Sequence, residues 1–168
     1  MLSNKSKYAL RAMMMLAEPA HANQYLLISD IAQRESIPRK FLEAILVDLR
    51  NEGLLSSRRG KLGGYRLARA PEEISVGDIV RVLDGPLAPI RCASRTQFVP
   101  CDDCTDTFAC RTRAIMLQVR DAIADVLDNC TLATALHQPE RVLPLRVTIS
   151  NPSDTVRGGH LRRPAVVG

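Results

Sequence analysis

No stretch of this 168-residue sequence approaches the roughly 20 consecutive apolar residues that a membrane-spanning helix needs. The start, NKSKYALRAMMMLAEPAHA, combines two lysines, an apolar run and small residues around Ala20 to Ala22, but Arg11 leaves only Ala12 to Ala17 unbroken. That is shorter than the roughly 7–15 residues of a signal core. An amphipathic helix in a cytoplasmic protein is expected instead. Histidine is scarce as well: His21, His137 and His160 stand apart from one another, and each reads as an ordinary side chain. No nucleophile–base constellation is recognisable, and the one C-x2-C, Cys101 to Cys104, lacks the βαβ context of a small thiol redox enzyme. The chain is therefore expected not to be an enzyme.

The composition, 46% hydrophobic, suffices for one domain with a real core. The net charge of +5 is unevenly spread. Residues 1–69 carry 12 basic and 6 acidic side chains, residues 70–136 carry 6 and 10, and residues 137–168 carry 5 and 2. The N-terminal part is thus the one suited to a polyanion, although a basic surface by itself is only a solvated face.

Lys5 to Glu18 places Ala9, Ala12, Met13 and Leu16 on one face, widened by Tyr8 and Met15, and Pro19 ends this first helix. Ser29 is expected to cap a short second helix with Ile31 and Ala32 inward, and the chain breaks over Glu35 to Pro38. A third helix, about Pro38 to Asn51, buries Leu42, Ile45, Leu46 and Leu49 and meets Gly53 where a C-terminal cap belongs. Its outer face carries Arg39, Lys40, Glu43, Ala44 and Val47. This is the pattern of a helix-turn-helix, which the next segment separates from a plain helical hairpin. In LLSSRRGKLGGYRLA, Leu54 to Arg59 reads as a strand, Gly60 to Gly64 as a turn and Tyr65 to Ala68 as the return, with Arg58, Arg59 and Lys61 crowding the tip. A helix-turn-helix followed by a basic hairpin is a winged helix.

Ser75 and Asp78 form an S-x-x-D helix start, with Val76, Ile79, Val80 and Leu83 as the apolar face and Gly85-Pro86 as the stop. From about Cys110 to Asn129 another helix sets Ile115, Val119, Ala122 and Val126 in a stripe, with Met116, Ile123 and Leu127 beside it and Gln118, Asp121, Asp125 and Asp128 on the wet side. Dimerisation is the expected use of so wide a face, since pairing two readers sets half-site spacing. Thr131 to Leu136 adds a last turn, and beyond it prolines, glycines and scattered arginines read as a tail.

Four of the five cysteines fall in CASRTQFVPCDDCTDTFAC, a run with no helical or strand period. Such a run needs something to hold it. Cys92, Cys101, Cys104 and Cys110 could bind an iron–sulfur cluster or zinc, or form a reversible disulfide, and the C-x2-C of Cys101 and Cys104 alone slightly favours zinc or a thiol–disulfide pair. Arg91, Arg95, Arg111 and Arg113 would balance either a thiolate-ligated cluster or Asp102, Asp103 and Asp106. Cys130, set among helix residues, reads as an apolar side chain.

KYALRAMMMLA, IPRKFLEAILVDLRNEGLLSSRRGKLGGYRLA and ISVGDIVRVLDGPL together resemble the IscR, NsrR and RirA type of bacterial winged-helix regulators, the Rrf-two family, over about Lys5 to Leu136. The resemblance implies a homodimeric repressor or activator on a two-fold symmetric double-stranded operator, with the third helix in the major groove and the wing at the minor groove. It places Arg39, Lys40 and Glu43 at base or phosphate contacts and Arg58, Arg59 and Lys61 on the wing. A carboxylate such as Glu43 can accept from cytosine N4 while repelling phosphate, so it selects sequence. Leu62 replaces the proline or small polar residue common at that wing position. The resemblance further implies a 2Fe-2S or 4Fe-4S cluster on three cysteines, here Cys92, Cys104 and Cys110, the last two in the family's five-residue spacing. The histidine that follows three residues later in the IscR pattern is Arg113, and the acidic cross-subunit ligand of the NsrR pattern is Lys7. The fourth ligand is thereby open, with Cys101 the candidate.

The expectation is a mainly α fold with a small β-hairpin wing. Residues 1–85 form a winged helix-turn-helix DNA-binding domain, 86–109 a cysteine-rich sensor loop, 110–136 a dimerisation helix and 137–168 a flexible basic tail.

Overall fold

Ser3 starts the first helix, α1 (Asn4–Ala17), by accepting the Ser6 N–H on its hydroxyl at 3.1 Å. The same hydroxyl and the Ser3 N–H donate to the Asp84 carboxylate, which ties the first helix to the end of α4 (Val76–Asp84). The computed structural model that provides this description covers residues 2–60, 62–104 and 106–137. The expected tail from residue 138 on, and Lys61 at the wing tip, lie outside the described residues.

Helix α2 (Ile28–Arg34) and helix α3 (Arg39–Asn51) form the helix-turn-helix. Ser29 does not cap α2; Leu27 holds that position without a side-chain bond, and the Ser29 hydroxyl donates to Asp30 at 3.0 Å. The break between the helices is built by Ser36 at φ 52°, a left-handed residue. With Ser36 N–H on the Gln33 carbonyl (3.3 Å) and Ile37 N–H on the Ala32 carbonyl (2.9 Å), it closes α2 in a Schellman turn. Arg11 braces this turn from α1, its Nε donating to the Glu35 carboxylate at 3.1 Å and its Nη2 to the Glu35 carbonyl. Helix α3 ends in the same motif: Gly53 takes φ 71°, its N–H bonds Arg50 (3.0 Å), and Leu54 N–H bonds Leu49 (2.9 Å).

The stripe read from the sequence is the one that is buried. Leu42, Ile45, Leu46 and Leu49 of α3 join Ala9, Ala12, Met13 and Leu16 of α1 and Ile31 of α2 in one core. Strands β1 (Leu55–Arg58) and β2 (Gly64–Leu67) pair antiparallel, Leu55 with Leu67 and Arg58 with Gly64. A bridge between Leu26 and Tyr65, with both backbone bonds at 2.9 Å, adds a short third edge to the hairpin. That edge explains Gly64: its φ is 133°, and a Cβ there would lie 2.1 Å from the Leu26 carbonyl oxygen. Gly64→Ala is therefore expected to cost about 1–3 kcal/mol of strain. It should lower the melting temperature and release protection of the Leu26 and Tyr65 amides in hydrogen exchange; unchanged protection of those amides would contradict this account.

Helix α4 starts with the expected capping box, Asp78 N–H on Ser75 Oγ at 3.0 Å and Ser75 N–H on the Asp78 carboxylate at 3.2 Å. The stretch 110–136 is not one helix but two, α5 (Arg111–Asp128) and α6 (Leu132–His137). The fully buried Leu132 joins the core against α1, so α6 packs with the winged-helix unit. The expected wet side of α5 is exposed at Gln118, Asp125 and Asp128 and half-buried at Asp121, and it also carries ion pairs. Arg81 of α4 clasps Asp128 through two bonds at 2.7 and 2.8 Å, and Arg95 and Arg120 converge on Asp121. These guanidinium bonds hold both carboxyls below the usual carboxylate range. Two of the four acidic or polar residues of that side thus fasten α5 to its own chain. Its apolar stripe is what is left open, with Ile115 57%, Val119 40%, Ile123 37% and Val126 66% exposed.

Candidate DNA interface and cysteine site

With Leu42, Ile45, Leu46 and Leu49 buried, the helical period turns Arg39, Lys40, Glu43 and Ala44 outward, and all four are exposed. Val47 is half-buried. Arg39 Nε lies 3.3 Å from Glu43 Oε1, one turn along the helix. An exposed pair at that spacing contributes only about 0.3–0.5 kcal/mol, so both groups are free to exchange partners. The Schellman turn at Gly53 leads directly into β1, whose last residue, Arg58, is exposed, as is Arg59 beyond it. Leu62 at the tip is 83% exposed.

One cluster beside these residues was not foreseen. Alternation had placed Arg66 opposite Tyr65 and Leu67 on β2. Its guanidinium carbon stands 4.9 Å from the centre of the Tyr25 ring, and the Tyr25 hydroxyl meets Ser56 Oγ at 3.2 Å. Arg66 Nε is buried without a hydrogen-bond partner among the described residues. Tyr25 precedes the Leu26 bridge, a position no periodic pattern marks.

The second site lies at the start of α5. A short 3-10 turn, Arg91–Ala93, buries Cys92 to 3% exposure, while Cys101 is exposed and Cys104 and Cys110 are half-buried. All four line one cavity of about 430 Å³, together with Ile90, Asp103 and Thr112. Cys101 donates to Cys92 with the sulfurs 3.8 Å apart. That bond, followed by the neighbouring Cys92 charge, pushes the Cys101 thiol up. The Cys104 N–H closes a turn onto the Cys101 carbonyl at 3.2 Å. Cys110 is the N-cap of α5, its sulfur accepting the Arg113 N–H at 3.4 Å. Cys130 lies apart, half-buried, its carbonyl accepting the Val76 N–H at 2.8 Å.

Arg113, expected only as a neighbouring charge, holds the loop together. Its Nε donates to the Cys92 carbonyl at 2.9 Å, its Nη1 to the Thr107 carbonyl at 3.4 Å, and its guanidinium carbon is 5.5 Å from the Phe98 ring centre. Arg95 is spent on Asp121, and Asp106 accepts the Phe108 and Ala109 amides at 2.7 and 3.2 Å. None of the ion pairs among the described residues joins a loop arginine to Asp102, Asp103 or Asp106.

In kind and number the donors fit a thiolate-ligated cluster, since four sulfurs face one cavity beside a cationic clasp. Among the described residues no three cysteine, histidine or acidic side chains are drawn in to metal-ligand distance. The cavity is a set of candidate donors around a space, not a contracted site. No helix among the described residues is long and apolar enough to cross a membrane.

Comparison with known proteins bears on both sites. Residues 2–138 match the family model Rrf2, described as an iron-dependent transcriptional regulator. An rrf2-like HTH-type transcriptional regulator of Rhodobacter capsulatus is 44% identical over 138 residues, covering 81% of this chain and 92% of that protein. The solved structure of CymR, the global cysteine regulator of Bacillus subtilis, superposes with a TM-score of 0.67 at 33% identity, covering 83% of this chain and 98% of the other. The IscR structure from T. potens does so at 0.62 and 34%, covering 82% and 86%. With a family match over all of the described residues and relatives covered over most of their own length, this chain belongs to the Rrf2 family of transcriptional regulators.

Proposed function

We propose that the chain binds a two-fold symmetric operator as a homodimer, and that an iron–sulfur cluster held in the cysteine cavity sets its affinity. The observation that carries the sensing half is the gathering of Cys92, Cys101, Cys104 and Cys110 around one cavity at the N-terminus of α5. Cys92, Cys104 and Cys110 would hold the cluster, with Cys101 as the fourth donor. The cluster, when bound, supplies a redox- and iron-dependent link among segments that otherwise meet through few bonds.

The chain's own residues relay that link. Cys110 caps α5, and Arg113, one turn on, grips the carbonyls of Cys92 and Thr107. A change in how the four sulfurs are held therefore acts on the first turn of α5. From there Asp121 and Asp128 connect to Arg95 of the loop and Arg81 of α4. Since α5 also carries the open apolar stripe, loop state and subunit arrangement share one element, which a two-state switch requires. The decisive experiment is an anaerobic preparation followed by iron and sulfide analysis, a visible spectrum, and operator titration before and after cluster removal. Absence of iron and sulfide from every anaerobic preparation, or identical operator affinity in both states, sinks the cluster reading.

For the DNA half, Arg39, Lys40 and Glu43 on α3 and Arg58, Arg59 and Lys61 on the wing are the proposed contacts. Arg59→Ala is expected to weaken binding to all duplexes and to lower the salt dependence by about one unit of slope, because each phosphate contact releases about 0.9 counterion. Glu43→Ala is expected to relax preference at one base pair by about 1–3 kcal/mol while leaving the slope unchanged. A sequence ranking unmoved by Glu43→Ala would remove Glu43 from base reading.

A further inference from the structure

The sequence suggests Cys101 and Cys104, in their C-x2-C, as the thiols that would oxidise together. The geometry points elsewhere: we propose that Cys92 and Cys101 are the pair that closes to a disulfide when the four-thiol cavity holds no metal, and that this bond locks the cavity against reloading. The inference rests on reading the four-thiol cavity as one ligand site.

Cys101 donates to Cys92 with 3.8 Å between the sulfurs, the one thiol–thiol hydrogen bond among the described residues. Cys101 and Cys104 are joined by backbone, through the Cys104 N–H on the Cys101 carbonyl. A disulfide needs the sulfurs at about 2.05 Å, so one of the two must move. Cys92 is fixed: it is buried to 3% exposure on a 3-10 turn, and Arg113 holds its carbonyl. Cys101 is exposed on the loop and also borders the open cleft formed with Arg91, Val99, Pro100 and Asp102. Cys101 is thus both the sulfur an oxidant can reach and the one free to travel, and Cys92 is the partner waiting behind it.

A hydroperoxide is the oxidant class this arrangement takes. The Cys101 sulfur attacks the outer peroxide oxygen, the O–O bond breaks, and the departing alkoxide takes up the thiol proton and leaves as an alcohol. The Cys92 sulfur then attacks the Cys101 sulfenic acid; the S–S bond forms and hydroxide leaves with the Cys92 proton as water. Two thiols lose two electrons and the peroxide gains them. The product withdraws Cys92 and Cys101 from ligation together, leaving Cys104 and Cys110.

The test uses the full chain, freed of metal and reduced, then treated with tert-butyl hydroperoxide, alkylated and digested with trypsin. Cleavage at Arg91, Arg95 and Arg111 separates Cys92, in CASR, from the other three, in residues 96–111. The expected product is CASR linked to 96–111 in the parent, in Cys104→Ser and in Cys110→Ser, and lost in Cys101→Ser. The oxidised parent is expected to take up less than a tenth of the iron and sulfide of the reduced parent, and to recover after reduction. A bond confined to 96–111, CASR linked equally well in Cys101→Ser, or no disulfide at all overturns the proposal. Iron and sulfide in the untreated anaerobic protein decide the cluster reading separately, so the two failures are distinguishable.

Discussion

Val119→Asp is expected to convert the protein from dimer to monomer without unfolding it. In the single chain Ile115, Val119, Ile123 and Val126 are 37–66% exposed, an apolar strip along a helix of 18 residues. A charge at Val119 remains solvated in the monomer and costs its fold little. In a dimer paired through this strip it would be desolvated without a partner, at a cost of several kcal/mol. The α5 helix itself should persist, because its attachment runs through the opposite side: Ala124 is packed against Val80 and Leu87, and Asp121 and Asp128 keep their arginines. Separating two linked readers removes an effective concentration worth about 10²–10⁴ in apparent affinity. Operator affinity should therefore fall by roughly that factor, while binding to an isolated half-site changes little. Sedimentation equilibrium and half-site titration check this. A parent chain that is itself monomeric, or a Val119→Asp variant that stays dimeric, excludes α5 as the pairing helix.

That strip was legible in the sequence because exposed and buried apolar stripes obey the same period; what periodicity cannot say is which side meets the chain's own body. On α3 the question answers itself, since Leu42, Ile45, Leu46 and Leu49 face a stripe of equal strength on α1. On α5 the side that meets the chain's own body is the one bearing Ala124, and the ion pairs of Asp121 and Asp128 with Arg95 and Arg81 run beside it. Local chemistry was legible where one residue type has one job: Ser75 and Asp78 make their box, and Gly53 closes α3 in the left-handed region. It misled where several residues can serve. Ser29 has a capping side chain but stands inside α2, while Ser36 takes a left-handed turn more often given to glycine. Contacts between distant segments left no trace at all. Nothing near Tyr25 predicts its stack with Arg66, and nothing near Arg113 predicts its hold on Cys92 and Thr107. Cysteine spacing marked the four candidate ligands, but their shared cavity and the proximity of Cys92 to Cys101 arise only when the loop folds back on α5.

Removing single sulfurs is expected to have effects on the cluster that differ by position, from loss to no change. Cys92→Ala and Cys104→Ala should each abolish iron and sulfide uptake, because both belong to the three proposed principal ligands, to which Cys101 only adds. Both variants should stay folded: the loop lies outside the stripes that build the core, although Cys92 is itself buried and its loss should cost about 1 kcal/mol of packing. Cys110 needs a different substitution. Its sulfur also caps α5, so Ala would remove a ligand and a cap at once, whereas Cys110→Ser keeps an acceptor for the Arg113 N–H and isolates the ligand role. Cys101→Ala should weaken or alter the cluster without preventing it, as expected of a fourth donor, and Cys130→Ala should leave it intact. Arg113→Met separates the clasp from the ligands. It keeps the four sulfurs but frees the Cys92 and Thr107 carbonyls, so buried Cys92 should be alkylated by iodoacetamide at least tenfold faster in the metal-free protein. Iron, sulfide, visible spectra and oligomeric state of each anaerobic variant are the measurements. A Cys92, Cys104 and Cys110 triple variant that still carries iron and sulfide would rule out these three as ligands, and an Arg113→Met variant with Cys92 as slow as in the parent would remove Arg113 as the clasp.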